Sequence, residues 1–144
     1  MDEIYLAQTD TTVGFLSPSS KKLNIVKNRP KDKQFLTTTT KYKNLLKLVR
    51  VPKKFKKLVR RSKKTTFIYP NNKAVRVVKD TYHESFLEKF DFIYSTSANE
   101  SGKPFDRDYA FFKADIVVED KRGFDEKTPS RIIKLSKNLK KKLR

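Results

Sequence analysis

Residues 95–104 form a run of short polar side chains that are suited to holding a charged ligand. The run reads Ser95-Thr96-Ser97-Ala98-Asn99-Glu100-Ser101-Gly102-Lys103-Pro104. It follows residues 90–94, whose alternating aromatic and apolar side chains predict a strand. Ligands of open α/β sheets bind at strand ends, and small donors beside a glycine let backbone amides approach a phosphate. The alternative is a hydrogen-bonded turn, because Ser, Asn and Gly are also ordinary loop residues.

A second candidate site is the tetrapeptide Lys27-Asn28-Arg29-Pro30. In an extended backbone, residues two apart project to the same side, so Lys27 and Arg29 would form a cationic pair just past a helix end. Lysine supplies a compact charge, whereas the arginine fork can bind two phosphate oxygens. Taken alone, such a pair is a weak signal in so basic a chain and is more typical of a solvated charged face.

The charge of the chain is the third informative feature. Its 35 basic residues exceed its 16 acidic ones, which gives a net charge of +19, and residues 41–64 contain no acid. A lysine-favouring codon bias would explain the total but not the acid-free block. The segregation predicts a basic face for a phosphate-rich partner such as tRNA or double-stranded RNA. The residues expected to contact RNA are Lys53, Lys54, Lys56, Lys57, Arg60, Arg61, Lys63 and Lys64.

Composition excludes several other classes of site. The chain has no cysteine, which removes disulfides, thiolate catalysis and sulfur-ligated metals. Its single histidine, His83, has no second histidine or cysteine with which to bind zinc, so no metal site is predicted. The first residues lack the order of a signal peptide, and no apolar run is long enough to cross a bilayer. These features predict a cytoplasmic protein with no membrane partner.

The elements that must position these residues alternate between strands and helices. Strands are predicted at 4–7, 35–40, 66–70, 74–78, 90–94, 115–119 and 131–135. Helices are predicted from Ser19 or Ser20 to about 29, near 42–49, near 55–59 and from Thr81 to about 90, with His83 on the surface of the last. This order predicts one α/β domain over residues 1–135, followed by a lysine-rich tail at 136–144.

Read together, these motifs resemble those of the YrdC-like family of threonylcarbamoyl-AMP synthases (YrdC, YciO and TsaC). Residues 95–102 are similar to its Ser-Thr-Ser-Ala-Asn-x-Ser-Gly signature, and residues 27–30 to its Lys-x-Arg-Pro element. The other matching positions are Thr9-Asp10-Thr11 with Gly14, Arg76 in a strand, and Pro129-Ser130. The chain departs from the family pattern at Gln8, at Val13 and over residues 62–66, where a glycine is replaced.

The resemblance implies a single-domain, twisted mixed sheet flanked by helices, with a basic concave cavity. It implies an L-threonylcarbamoyladenylate synthase, a nucleotidyltransferase that joins L-threonine, bicarbonate and ATP, with Mg²⁺ accompanying ATP, and releases pyrophosphate. The product serves tRNA threonylcarbamoyladenosine modification, so downstream tRNA-modification proteins are implied as further partners.

The resemblance also assigns roles to individual residues. It implies a catalytic and nucleotide-binding tetrad of Lys27, Arg29, Ser97 and Asn99. Ser95 and Ser130 would complete the nucleotide site. Threonine and carbamate would be bound by Thr9, Thr11 and Arg76.

A different class of function remains open at this point. The chain could be a non-catalytic module that grips tRNA or double-stranded RNA in translation or ribosome assembly. The acid-free block at 41–64 favours that interpretation, whereas the joint presence of Lys27, Arg29, Ser97 and Asn99 favours the enzyme.

Overall fold

The computed structural model describes residues 2–28 and 35–144, which form a sheet flanked by short helices. The strands in these residues are β1 (Tyr5–Gln8), β2 (Val13–Ser17), β3 (Leu36–Thr39), β4 (Thr65–Ile68), β5 (Ala74–Val77), β6 (Ile93–Ser97), β7 (Ile116–Val118), β8 (Arg131–Leu135) and β9 (Lys140–Lys142). The α-helices are α1 (Ser20–Lys27), α2 (Tyr42–Leu48), α3 (Lys56–Arg61), α4 (Thr81–Leu87) and α5 (Arg107–Lys113), and a 3₁₀ turn at Lys53–Phe55 precedes α3.

The strands are ordered β7-β1-β2-β6-β3-β5-β4-β8-β9 in a single mixed sheet. Three neighbouring pairs are parallel, namely β1 with β7, β3 with β5 and β4 with β8. The remaining pairs are antiparallel. The pairing of β2 with β6 sets Gly14 opposite Ser97, so it brings the first loop of the chain beside the serine-rich run.

Apolar side chains hold the helices against both faces of this sheet. Leu45 of α2 and Val59 of α3 pack with Phe67 and Val75 of the sheet. A second cluster joins α1 and α5 to β1 and β2. A third cluster packs α4 against β1, β2 and β6. The predicted α/β class with a twisted mixed sheet is therefore confirmed.

The strand predicted at residues 90–94 begins and ends later than expected. It is β6, which starts at Ile93 and includes Ser95, Thr96 and Ser97. Phe90 instead ends the α4 region, where its amide donates to Leu87 O at 2.9 Å and its ring packs 5.5 Å from that of Phe86. The serines therefore have fixed strand geometry, and the turn starts only after Ser97.

The prediction that His83 lies on the surface of α4 is wrong. Asp80, not Thr81, caps this helix, and its Oδ1 accepts a hydrogen bond from the His83 amide at 2.9 Å. The imidazole is 1% exposed and stacks 6.4 Å from the Phe86 ring, one helical turn away. Local pattern could not show this, because the neighbours that cover His83 come from other elements.

Three elements go beyond the predicted set. Strand β2 and helix α5, which Asp106 caps, are not among the predicted elements. Residues 140–142, within the segment expected to be a tail, form β9 and pair with β8 through Leu135 and Lys140. Over the described ranges, no helix is long and apolar enough to cross a membrane.

Candidate functional site

A cavity of about 680 Å³ opens over the sheet and is lined by residues of β2, β3, β4, β5, β6 and β8 and of the loops beside them. Seven of the predicted site residues line it, namely Thr9, Thr11, Arg76, Ser95, Ser97, Asn99 and Ser130. Its charged lining residues are Arg76, Glu126, Lys127 and Arg144, and most of its other polar groups are hydroxyls. The fold therefore gathers residues from both ends of the chain around one concave site.

Lys27 connects the two motifs that the sequence singled out. Its ammonium group donates to Ser97 O at 3.0 Å, to Asn99 O at 2.5 Å and to Asn99 Oδ1 at 3.0 Å. The residue ends α1, and its own carbonyl accepts from Ser101 Oγ at 3.2 Å. Its side chain is buried, with 4% exposed. The positive charge of Lys27 thus lies directly behind the turn that follows β6.

The amide of Asn99 is held in one orientation. Its Oδ1 accepts from Lys27 and from Ser97 Oγ, the latter at 2.5 Å, and its Nδ2 donates to Lys103 O at 2.7 Å. The Ser97 side chain remains exposed. Three members of the predicted tetrad therefore form one hydrogen-bonded cluster. The fourth, Arg29, lies outside the described residues, as does Pro30.

The loop that carries Thr9 and Thr11 folds tightly against the end of β2. Thr9 Oγ1 donates to Thr12 O at 2.6 Å and accepts from the Thr11 amide at 3.1 Å. A Cβ at Gly14 would lie 3.0 Å from Thr9 Cγ2 and 3.0 Å from Thr96 O. A side chain at position 14 would therefore require the loop or β6 to move by a few tenths of an ångström.

Arg76 forms a buried ion pair with Asp10, a residue that the sequence had not assigned a role. Arg76 Nη2 lies 3.1 Å from Asp10 Oδ1, and each side chain is 3% exposed. Burial raises the pKa of the Asp10 carboxyl, although the Arg76 guanidinium opposes that rise. The pair ties the Thr9–Thr11 loop to the middle of β5, and so positions two predicted substrate residues relative to a third.

Ser130 lies at the far side of the cavity, between Thr66 and Arg144. Its Oγ is 2.8 Å from Thr66 Oγ1 and accepts from Arg144 Nη2 at 3.2 Å. Arg144 Nε also donates to Ser130 O at 2.7 Å. Sequence reasoning missed Arg144, because it follows a run of lysines and has no motif of its own.

Arg122 is a second residue that sequence reasoning missed. Its guanidinium donates to the backbone carbonyls of Gln8 and Thr9 at 3.0 and 3.1 Å. It also pairs with Asp80 at 3.2 Å and with Asp120 at 2.8 Å. Hydrogen bonds from Arg122 hold the pKa of the Asp120 carboxyl below its usual value. Nothing in the local sequence, where charged residues are common, distinguishes this arginine.

The basic block lies outside the cavity just described. The side chains of Lys53, Lys54, Lys56, Lys57, Arg60, Arg61, Lys63 and Lys64 are exposed, on or near the 3₁₀ turn and α3. None of them lines the main cavity. Lys54 Nζ donates to Asn138 O at 3.1 Å, so this surface adjoins the hairpin of β8 and β9.

The comparisons with known proteins agree with this architecture. The family model Sua5_yciO_yrdC, described as "Telomere recombination", matches residues 2–144. The chain therefore belongs to the Sua5/YciO/YrdC family. No match was found among curated proteins.

Solved structures with the same fold include two of P. abyssi Sua5. The H234A/Y235A variant of Sua5 superposes with a TM-score of 0.84 at 20% identity, and covers 99% of this chain and 49% of that one. Sua5 complexed with L-threonine gives 0.83 at 19% identity, with 99% and 50% covered. E. coli YciO gives 0.80 at 14% identity, with 99% and 82% covered. The chain thus spans about half the length of the Sua5 structures it matches.

Proposed function

We propose that this domain makes L-threonylcarbamoyladenylate from L-threonine, bicarbonate and ATP for the threonylcarbamoyladenosine modification of tRNA. The observation that carries the proposal is the cluster of Lys27, Ser97 and Asn99 at the edge of a cavity that also contains Thr9, Thr11 and Arg76. A volume of about 680 Å³ lies within the range of small-molecule sites. Family membership and the threonine bound to the related Sua5 support the same assignment.

The chemistry needs no protein nucleophile. The threonine amine adds to bicarbonate and water leaves, which gives a carbamate. A carbamate oxygen then attacks the α-phosphorus of ATP, the bond from that phosphorus to the bridging oxygen breaks, and pyrophosphate leaves. The task of the protein is to hold two anions together and to offset their charge, which are positioning and electrostatic effects.

Each side of the cavity has a part in this proposal. Lys27, Ser97 and Asn99, together with Arg29, bind the nucleotide, and Ser95 and Ser130 complete its site. Thr9, Thr11 and Arg76 bind threonine and its carbamate.

Magnesium enters as part of the ATP substrate. Within residues 2–28 and 35–144, no group of three His, Cys, Asp or Glu side chains could hold an ion. In this proposal the ion would be held mainly by phosphate oxygens and water, as Mg²⁺ commonly is in nucleotide sites.

A specific observation favours a second candidate, a non-catalytic module that binds tRNA or double-stranded RNA. The exposed basic block around α3 lies outside the cavity, so it has no evident part in nucleotide or threonine binding. An exposed surface of this charge favours contact with a phosphate backbone.

One assay separates the two candidates. The full chain is incubated with ATP, Mg²⁺, bicarbonate and L-threonine, and pyrophosphate and the adenylate are measured. Threonine-dependent release of pyrophosphate with formation of the adenylate supports the enzyme. Tight tRNA binding without turnover, even after downstream tRNA-modification proteins are added, would leave only the RNA-binding module.

A further inference from the structure

A second recess, of about 620 Å³, lies beside the main cavity and is lined by four cationic side chains. They are Lys63, Lys64, Lys127 and Arg131. The recess shares Thr11, Lys127 and Pro129 with the main cavity, but Lys27, Ser97 and Asn99 do not line it. It is therefore a separate concave site that adjoins the proposed catalytic one.

The charges in this recess are not balanced by acids. Its lining includes no Asp or Glu, and within the described part of the chain none of its four cations forms an ion pair. Four like charges in one concavity repel one another, and an anion relieves that repulsion. The four side chains are also exposed, so a group carried by a large partner can reach them.

Hydrogen bonds hold the three segments that supply these cations. The Lys127 amide donates to Thr12 Oγ1 at 3.0 Å, and the Arg131 amide donates to Lys64 O at 3.1 Å. Arg131 Nη2 donates to Thr65 Oγ1 at 3.0 Å, which holds the guanidinium at the start of β8. The recess is therefore organised by the fold before any ligand binds.

We propose that this recess binds a backbone phosphate of RNA. Lys63 and Lys64 continue the exposed basic block of α3, so an RNA strand lying along that block reaches the recess and then the mouth of the main cavity. Binding of RNA at the recess does not depend on whether the chain makes the adenylate. It specifies where the RNA lies on the surface, which the proposed function does not.

The test is a salt titration of binding to a fluorescently labelled tRNA transcript, with the full chain. The double variant Lys63→Gln/Lys127→Gln removes two recess charges, and Lys21→Gln/Lys89→Gln removes two exposed charges on α1 and beyond α4 as a matched control. The recess variant should bind tRNA about tenfold more weakly. Its log–log salt slope should become shallower by about one unit, because the loss of one phosphate contact means that fewer counterions are released on binding. The control should keep the wild-type slope.

Binding of Mg-ATP and threonine-dependent release of pyrophosphate are measured on the same variants. Equal losses in both variants, unchanged binding in the recess variant, or a wild-type chain that does not bind tRNA would each overturn it. Weaker binding of Mg-ATP with unchanged tRNA binding would also overturn it, since the recess would then serve the nucleotide. Threonine-dependent pyrophosphate release is scored separately, so a chain without turnover but with the expected slope change refutes only the proposed enzyme.

Discussion

The ammonium group of Lys27 donates a hydrogen bond to the side-chain oxygen of Asn99 at 3.0 Å, although 72 residues separate them in the chain. Replacing Asn99 by alanine removes this contact and those of Asn99 with Ser97 and Lys103. Since small displacements of positioning groups can cost about a hundredfold in rate, we expect threonine-dependent pyrophosphate release to fall by about that factor.

Thermal unfolding should change little in this variant, because Asn99 is only half-buried. Asn71→Ala is the matched control, since Asn71 is an exposed amide that also makes turn hydrogen bonds and does not line the cavity. Equal losses of activity in the two variants would contradict a role for Asn99 in the site.

The buried ion pair between Asp10 and Arg76 predicts a large loss of stability when one partner is removed. Asp10→Asn leaves the Arg76 guanidinium without its counter-charge at a site where both side chains are 3% exposed. Breaking such a pair costs about 3–5 kcal/mol, which urea unfolding would measure. The double variant Asp10→Asn/Arg76→Gln should lose less than the two single variants summed. Strict additivity would mean that the two groups do not interact.

The close approach at Gly14 predicts that alanine is destabilising there. The added Cβ would lie 3.0 Å from the backbone oxygen of Thr96, an atom that β-sheet pairing holds in place. We expect Gly14→Ala to reduce the free energy of unfolding by about 1–3 kcal/mol, as overpacking does. Because Thr9 would be displaced, the KM for threonine should rise. Gly102→Ala is a useful contrast, since the added Cβ there meets no neighbour and its cost would come from the positive φ of 80°.

The burial of His83 predicts that the free energy of unfolding decreases in acid. Burial lowers the pKa of this imidazole from its ordinary value of 6.5 to about 3, assisted by the nearby charges of Arg76 and Arg122 and opposed by those of Asp80 and Asp120. Between these two values the unfolded chain binds a proton that the folded chain does not, so the free energy of unfolding falls as the pH decreases from about 6.5 to about 3.

The slope attributable to His83 is at most about 1.4 kcal/mol per pH unit. We expect His83→Phe, which keeps a ring beside Phe86, to lose this component, as chemical denaturation at several pH values would show. Identical pH profiles for the variant and the wild type would refute the assignment.

The contacts of Arg122 predict that a substitution at this position affects substrate binding more than the chemical step. It holds the carbonyls of Gln8 and Thr9, and lysine at this position cannot reach both of them and also pair with Asp80 and Asp120. Arg122→Lys should therefore raise the KM for threonine about tenfold with a smaller change in kcat. Arg107→Gln, an exposed arginine on α5, serves as the control. A fall in kcat with KM unchanged would argue against positioning of the loop.

The sequence was sufficient for the parts of the fold and site that depend on local pattern. The α/β class, most strands and a serine cap of α1 follow from periodicity and capping residues, and the structure selects Ser19 from the two predicted serines. The family motifs also indicated seven residues that line one cavity. In each of these cases the informative residues are neighbours in the chain or members of a contiguous motif.

What could not be predicted depends on contacts between distant segments. The burial of His83 results from packing by other elements, and the roles of Asp10, Arg122 and Arg144 depend on partners more than ten residues away. Strand β9 consists of three consecutive lysines, a composition that is unfavourable for a strand. It forms because the edge of β8 provides backbone groups with which it pairs. Such residues have no sequence signal until the topology is known.

Strand β9 also determines what happens at one border of the sheet. It is the last strand in the order, so one of its two edges has no strand partner within the described residues. An open edge is a template on which a second protein chain can add a strand, and natural proteins prevent this with charged side chains. Because Lys140, Lys141 and Lys142 are all exposed, a second copy would have to bring its own lysines against these. Strand β9 therefore extends the sheet by one strand, and its exposed lysines disfavour edge-to-edge pairing with a second copy.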